Sequence, residues 1–376
     1  MMMNRGGFKM GKLLKPFMFV LVAFSLIVMV ACDGQGNTTE KESEREGEQE
    51  KEAIGAVEEP AGEVVIYSSR NEKFMEALFD KFEQDTGIKV KALNGQDEII
   101  NKIKEEANNV QADIFVSNDI GGLEHLRLED LLQGYEPEGM ETIDEKYRAE
   151  DNSWFGLSAR TRVLMYNKDE MTEEEMPKTL WELTDEKWKG QFAITRGGNG
   201  SMIAHVSALR NEWGDEKTLE WLNKIKENAA IITDGHGDIR RAVGSGEVKF
   251  GLVNNYYYHQ QLAEPADNNV GVIYPDQGED DIGAFVNAAG VAFIKGAPHP
   301  VDAKAFLDWL MLPENQREFS YASMEVPINP VVEAVEAAAK ISDYKVSDMP
   351  LRDLGKVWED TRQLIEQSGL DLEIRN

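Results

Sequence analysis

From residue 63 onward, short runs rich in β-branched residues alternate with segments of helical spacing, and this alternation admits few folds. Glu63-Val64-Val65-Ile66-Tyr67 reads as a buried strand. Phe74, Ala77, Leu78 and Phe82 then recur at the three- and four-residue intervals of one helix face. Gly87 ends that helix and Ile88-Lys89-Val90 opens a second strand. Ile99, Ile100 and Ile103 mark another helix, and Asp113-Ile114-Phe115-Val116 a third strand. A parallel pair needs a crossover long enough to hold a helix, so this rhythm predicts parallel β-α-β units. It resumes after Trp154, with strands at 163–166, 192–194, 250–253 and 290–294 and helices at 201–209, 219–225 and 301–312. No internal repeat accompanies it. At 376 residues, 41% of them hydrophobic, the chain is long enough for two packed α/β lobes rather than one. A cleft between such lobes, at the carboxyl ends of the strands, is the expected ligand site.

The first 62 residues are of a different kind. Arg5, Lys9, Lys12 and Lys15 form a positive leader, and an apolar run follows from residue 17 to 31. A run of about 15 residues suits a signal peptide and is short for a membrane span. The chain's one cysteine, Cys32, comes directly after Val30-Ala31, which excludes an internal disulfide. This arrangement resembles the lipobox of bacterial lipoproteins, with Met29 where leucine is usual. The resemblance implies a signal peptide over 1–31, lipidation at Cys32 and an extracytoplasmic protein anchored to the cell membrane. A plain signal peptide and an uncleaved anchor are the alternatives. Residues 32–62 are Glu-rich and nearly free of large apolar side chains, so they read as a disordered acidic tether. The net charge of −29 argues against nucleic acid or an anionic lipid surface as partner. It fits solubility outside the cell, or the capture of a cation.

The sharpest local feature is Asn254-Asn255-Tyr256-Tyr257-Tyr258-His259, directly after a buried strand. Three consecutive tyrosines make a poor plain core, because successive strand residues face opposite sides and each buried hydroxyl needs a partner. If the chain leaves strand geometry here, two neighbouring phenols can converge on one point. A phenolate is a hard anionic donor; its ordinary pKa is about 10, and a bound cation favours the ionised form. From the residues alone, an aromatic cluster or sugar-stacking platform stays open beside a metal site. Gly197-Gly198-Asn199-Gly200-Ser201 precedes a predicted helix, whose free N–H groups and dipole suit an anion. Arg160 and Arg162 add charge able to grip an oxyanion two-pronged. The plainer readings are a connecting loop and surface ion pairs. His205, His236, His259 and His299 lack metal-ligand spacing, and Glu124 and His125 lack a partnering motif. There is no phosphate-binding loop, nucleophile elbow or zinc signature, so nothing predicts an enzyme. The tryptophans read as core.

Six stretches occur together in order: Val65-Ile66-Tyr67-Ser68-Ser69-Arg70, Thr86-Gly87-Ile88-Lys89-Val90, Ala112-Asp113-Ile114-Phe115, Ser158-Ala159-Arg160-Thr161-Arg162-Val163, the Asn254 tyrosine motif, and Pro327-Ile328-Asn329-Pro330. In this combination the chain resembles the ferric-ion-binding proteins of bacterial ABC importers, from about residue 63 to 370. The resemblance implies a two-lobed, hinge-closing periplasmic-binding-protein fold of type II, a "Venus flytrap". One lobe would comprise 63–160 plus 287–335, the other 161–286 plus 336–376. It implies Fe(III) bound by Tyr256 and Tyr257 with a synergistic anion, carbonate or phosphate. Asn199, Gly200, Ser201 and Asn254 would lie against that anion with Arg160 and Arg162, and His236 falls near the same stretch.

Some members add a histidine and a glutamate where this chain has Asn71 and Asn118, and others a tyrosine where it has Asn199-Gly200-Ser201. A ferric ion takes about six donors, so anion and water oxygens must complete the set. Glu72, Tyr67 and Tyr258 are further donor candidates that no motif match supports in that role, and Arg70 is a further cleft candidate. The expected function is an extracellular substrate-binding lipoprotein, a monomer, that hands ferric iron to an ABC importer permease. The alternative, favoured by Asn71 and Asn118, is a protein of the same fold for an organic phosphate, phosphonate or thiamine-like ligand.

Overall fold

A computed structural model of the chain describes residues 62–95, 98–336 and 338–376. The leader, Cys32 and the acidic tether up to residue 61 lie outside the described residues. The chain opens as anticipated, with β1 (Glu63–Ser68), α1 (Glu72–Thr86), β2 (Lys89–Asn94), α2 (Glu98–Glu105), β3 (Ile114–Ser117) and α3 (Ile120–Leu128). Asn71 caps α1 by accepting from the Lys73 N–H at 3.1 Å. Gly87 ends it in the left-handed conformation, φ 77°, with its N–H on the Glu83 carbonyl at 2.9 Å.

The long strand β4 (Trp154–Asn167) follows, then β5 (Phe192–Thr195), α4 (Gly200–Trp213), α5 (Asp215–Asn228), β6 (Ile231–Thr233) and α6 (His236–Gly244). Next come β7 (Phe250–Asn254), α7 (Asn255–Leu262), β8 (Val270–Ile273) and β9 (Val286–Phe293). The chain finishes with α8 (Pro300–Met311), α9 (Pro313–Tyr321), β10 (Val326–Pro327), α10 (Asp353–Lys356) and α11 (Trp358–Ser368).

Strand order is β2-β1-β3-β9-β4-β7-β5-β6, with β8 and β10 also on β4. The pairs β1/β2, β1/β3, β5/β6 and β5/β7 are parallel. The purely parallel expectation fails at the centre, where β9 runs antiparallel to β3 and β4 runs antiparallel to β7, β8, β9 and β10. Alternation speaks only for strands joined by one crossover helix; β4 and β9 instead connect the two groups of parallel strands. All 14 residues of β4 are buried. Its first half, Trp154 to Thr161, pairs with β9; from Arg162 onward it pairs with β7, and from Leu164 with β8 as well.

Each group of strands has its own aromatic packing. Phe82 meets Phe306 edge-on at 5.0 Å and Trp309 at 5.3 Å. Across the molecule Phe192 stacks on Phe250 at 5.3 Å. Gly290 of β9 faces Gly156 of β4 beside a register shift. A Cβ at Gly290 would lie 2.5 Å from the Phe155 carbonyl oxygen and 2.9 Å from Ile120 Cδ1. Gly290→Ala is therefore expected to destabilise the fold by about 1–3 kcal/mol, the range for overpacking a core. The check is a lower urea midpoint at unchanged slope; an unchanged midpoint would mean that β9 shifts freely.

Candidate functional site

A cavity of about 640 Å³ opens where the strand ends of both groups meet. The loop after β1 brings Ser69, Arg70 and Asn71, and the loop after β3 brings Ser117, Asn118 and Asp119. Facing them are Arg160 of β4 and the first residues of three helices: Asn199 to Ser201 at α4, His236 at α6, and Tyr256 and Tyr257 at α7. Glu325 closes the inner wall.

The tyrosine motif leaves strand geometry at Asn254, which is still extended (φ −81°, ψ 146°) and precedes the first residue of α7. Tyr256 and Tyr257 occupy the first turn, with ring centroids 4.4 Å apart and planes inclined 32°. Burial raises the Tyr257 phenol well above its ordinary value; Tyr256 beside it adds to this, and Arg160 opposes it. Tyr258 leaves the cavity and packs on the core around Val163 and Met165. Asn255 is fully buried, and its side-chain oxygen accepts from the Thr161 N–H at 3.0 Å. That bond ties the tyrosine helix to β4 at the point where β4 changes partners.

Buried charge is gathered in the same lining. Arg160, 4% exposed, lies 3.7 Å from Asp119 Oδ2 through one nitrogen and 3.7 Å from Glu325 Oε1 through another. At those separations neither carboxylate accepts a hydrogen bond, so the guanidinium is attracted to both while its N–H groups stay unspent among the described residues. Glu325 Oε2 accepts from Arg70 Nη2 at 3.0 Å, Ser158 Oγ at 2.5 Å and Ser323 Oγ at 3.0 Å. Burial alone would raise its pKa, but Arg70 and Arg160 outweigh that and hold it below the ordinary value. Asp119 caps α3 through the Gly122 N–H at 3.3 Å and accepts from the Asn287 amide. There burial wins over Arg160, and the carboxyl is pushed up to about 6.

Arg162 stands behind the cavity rather than in its lining. Its Nη2 donates to the Ser201 carbonyl, and its Nη1 lies 3.0 Å from His236 Nε2. Arginine only donates, so Nε2 is the acceptor and the imidazole proton sits on Nδ1. Burial, then Arg160, lowers the Arg162 guanidinium to about 9, while charge on Tyr256 or Tyr257 would raise it. Burial, Arg162 and Arg160 together hold His236 well below its ordinary value, and so neutral.

The glycine run differs from the backbone cradle anticipated for it. The Gly197 and Gly198 N–H groups go to the carbonyls of Leu370 and Asp371, at 2.8 and 3.1 Å. A Cβ at Gly197 would fall 2.3 Å from Ile365 Cγ2, so this glycine admits the C-terminal segment. Asn199 caps α4 by accepting from the Ser201 N–H at 3.0 Å. Gly200, the first helical residue, keeps an N–H with no acceptor inside the helix. Asn254 Nδ2 lies 3.4 Å from Ser201 Oγ, behind the cavity lining.

The remaining candidates divide. Asn71 and Asn118 line the cavity, yet Asn71 is engaged as a helix cap and the Asn118 amide donates to the Ser69 carbonyl at 2.9 Å. Arg70 and the exposed Glu72 also line it. Tyr67 does not: its hydroxyl donates to Glu106 Oε2 at 2.9 Å, away from the cavity. Sequence reasoning missed Asp119 and Glu325. Asp119, between a buried strand and Ile120-Gly121-Gly122, carries the mark of a helix cap; Glu325 carries no local signal. Among the described residues no group of three or more His, Cys, Asp or Glu side chains is placed to hold a metal.

Two sets of strands linked through β4, with helix starts and loops meeting at one polar cavity, define a two-lobed α/β binding protein. The model of the bacterial extracellular solute-binding protein family matches residues 77–346, and the chain belongs to that family. It is a transport carrier rather than an enzyme. It is 32% identical over 316 residues to iron uptake protein A1 of Synechocystis, covering 82% of this chain and 87% of that one. It is 29% identical over 327 residues to the major ferric iron-binding protein of Neisseria meningitidis serogroup B, covering 85% and 96%. Among solved structures it is similar to iron-bound HitA from Pseudomonas aeruginosa, at TM-score 0.76 and 28% identity over 82% of this chain and 99% of that one. It is also similar to a Trichodesmium protein (IdiA, FutA) in complex with iron and citrate, at TM-score 0.72 and 29% identity over 82% and 100%.

The raised Asp119 carboxyl yields a pH test. An unfolded aspartate titrates near 3.9. Between that value and about 6, native Asp119 keeps a proton that the unfolded chain has released. Ionising it therefore lowers stability as pH rises through that window. Asp119→Asn removes the penalty, so its urea midpoint relative to the unmodified protein should rise between pH 4 and pH 7. A constant difference would show that burial leaves this carboxyl unperturbed.

Proposed function

We propose that this chain binds ferric iron with a small synergistic anion, carbonate or phosphate, and passes the iron to the permease of an ABC importer. The observation that carries this reading is the pair of phenols in the first turn of α7, 4.4 Å apart ring to ring, facing the cavity. Two adjacent phenolates form a hard, doubly charged donor set for a trivalent cation. Arg160 and the buried Arg162 stabilise those phenolates electrostatically. The unspent N–H groups of Arg160, the Gly200 N–H and Ser201 Oγ receive the anion, which with water completes about six donors. Relatives named as ferric-iron-binding and iron uptake proteins support the cargo.

The lobes are 63–160 plus 287–335 and 161–286 plus 336–376. The exchange of β4's partners between Thr161 and Arg162 supports a hinge there. Cargo contacts made only when the lobes close would shift the equilibrium to the closed form. The organic-phosphate reading rests on Asn71 and Asn118, neutral and engaged with backbone, which withhold further anionic ligands.

The deciding experiment titrates purified apo-protein with chelated ferric iron, with and without carbonate or phosphate, while recording the visible spectrum and solution scattering. A tyrosinate-to-iron charge-transfer band and a compaction are expected, with iron released on acidification because both phenols must regain protons. Tyr257→Phe should abolish or shift the band. Arg160→Ala should weaken retention while leaving some tyrosinate absorbance. If no anion yields a band and Tyr257→Phe behaves like the unmodified protein, the organic-phosphate reading takes its place.

Cys32 as lipid attachment site completes the proposal. Acyl chains contribute about 0.8 kcal/mol per buried CH₂, enough for stable anchoring with two chains. Cys32→Ser should release the protein into the medium; retention at the membrane would refute lipidation.

A further inference from the structure

The cavity's buried charges set a condition on its anion. Asp119 and Glu325 are buried, whereas the other acidic side chains of the lining, Glu72 and Glu98, are exposed to solvent. Arg70, Arg160 and Arg162 are 2%, 4% and 2% exposed. Three guanidinium charges against two carboxylates leave one positive charge in a region poorly screened by water. A ferric ion on two phenolates adds one more. An anion of charge −2 cancels the total, and a trianion overshoots it.

The two carboxylates do not share this role equally in space. Arg160 has one on each side at 3.7 Å and hydrogen-bonds neither, so both act on the anion through the charge and pose of Arg160. Glu325 is the more firmly fixed, held through Oε2 by Arg70, Ser158 and Ser323 while Oε1 faces Arg160.

Building on the ferric-iron reading of the site, we propose that Glu325, with Asp119, is a specificity-determining residue that restricts the synergistic anion to dianions. Neither group touches the anion; each removes one positive charge from the field that receives it. Neutralising either one without changing its shape should move the preference toward trianions. At these distances an effective dielectric of about 20 makes one charge worth roughly tenfold or more in relative affinity.

The test uses inorganic phosphate and citrate at mildly alkaline pH, where they are mainly a dianion and a trianion. Retention of the iron–tyrosinate band against a competing chelator is read for each anion in the unmodified protein, Glu325→Gln, Glu325→Asp and Asp119→Asn. Citrate's own grip on iron is common to all four and cancels in the comparison. The citrate-to-phosphate retention ratio should rise about tenfold or more in Glu325→Gln and in Asp119→Asn, and stay near the unmodified value in Glu325→Asp. Asp119→Asn carries the test if Glu325→Gln fails to fold. An unchanged ratio in the folded neutral variants overturns the proposal. So does an equal shift in Glu325→Asp, which would trace the effect to a displaced Arg160 rather than to charge. Absence of the band with every anion in the unmodified protein refutes the iron reading itself, a separate outcome.

Discussion

The structure depends on one buried strand having to satisfy its backbone twice over. β4 is inaccessible to water along its whole length, so each of its N–H and C=O groups needs a partner within the protein. No single neighbour supplies them. The first half uses β9 and the second β7 and β8. At the changeover the Thr161 N–H goes to the Asn255 side chain at 3.0 Å and the Arg162 N–H to the Phe285 carbonyl at 2.9 Å. Placing the cavity beside this exchange follows, because the strand ends of both groups can meet only where they share a strand. The residue that mends the ladder, Asn255, is also the first residue of the tyrosine helix.

The second organising constraint is charge taken out of water. A buried guanidinium is costly unless it is compensated, and a fully paired one would have nothing left for a ligand. Arg70 is paired with Glu325 and covered by Phe319, its Cζ 4.3 Å from the ring centroid. Arg160 is attracted to two carboxylates beyond hydrogen-bond reach. Among the described residues Arg162 has only the Ser201 carbonyl and the neutral His236 as hydrogen-bond partners. The three thus grade from paired to merely attracted to uncompensated, and ionised Tyr256 and Tyr257 would supply Arg162 with negative charge.

Much of this was legible beforehand where the physics is local. The strand at Glu63, the α1 face of Leu78 and Phe82, the Gly87 stop and the helix beginning at Pro300 each follow from spacing and caps, and each stands within a residue or two of its expected place. The tyrosine run was a poor fit to a continued strand, because successive residues face opposite sides and each buried hydroxyl needs a partner, and α7 begins there. Two glycines of the run, Gly197 and Gly198, serve packing rather than a ligand. Glycine marks close approach as well as ligand binding, and at Gly197 and Gly198 the approach is by the C-terminal segment 370–371, distant in sequence. Tyr67 is likewise engaged elsewhere: its motif position is shared with the cavity loop, but Glu106 on the segment after α2 takes its hydroxyl.

By itself, the sequence determined the type of those elements that carry a clear period, the lobed α/β class and the side chains able to hold a hard cation or an oxyanion. Periodicity, caps and donor chemistry act over a few residues and need no partner to be read. Tertiary structure alone decided which of those side chains face one another. The reversal of β4 and β9, the removal of Tyr258 to the core and the placing of Asp119 and Glu325 on either side of Arg160 all join residues far apart in the chain. Burial then separated two carboxylates of similar chemistry. One is pushed up to about 6 because its desolvation outweighs a single guanidinium, and the other is held down because two guanidinium groups reach it. Desolvation and charge pairing depend on three-dimensional distance, which no local pattern encodes.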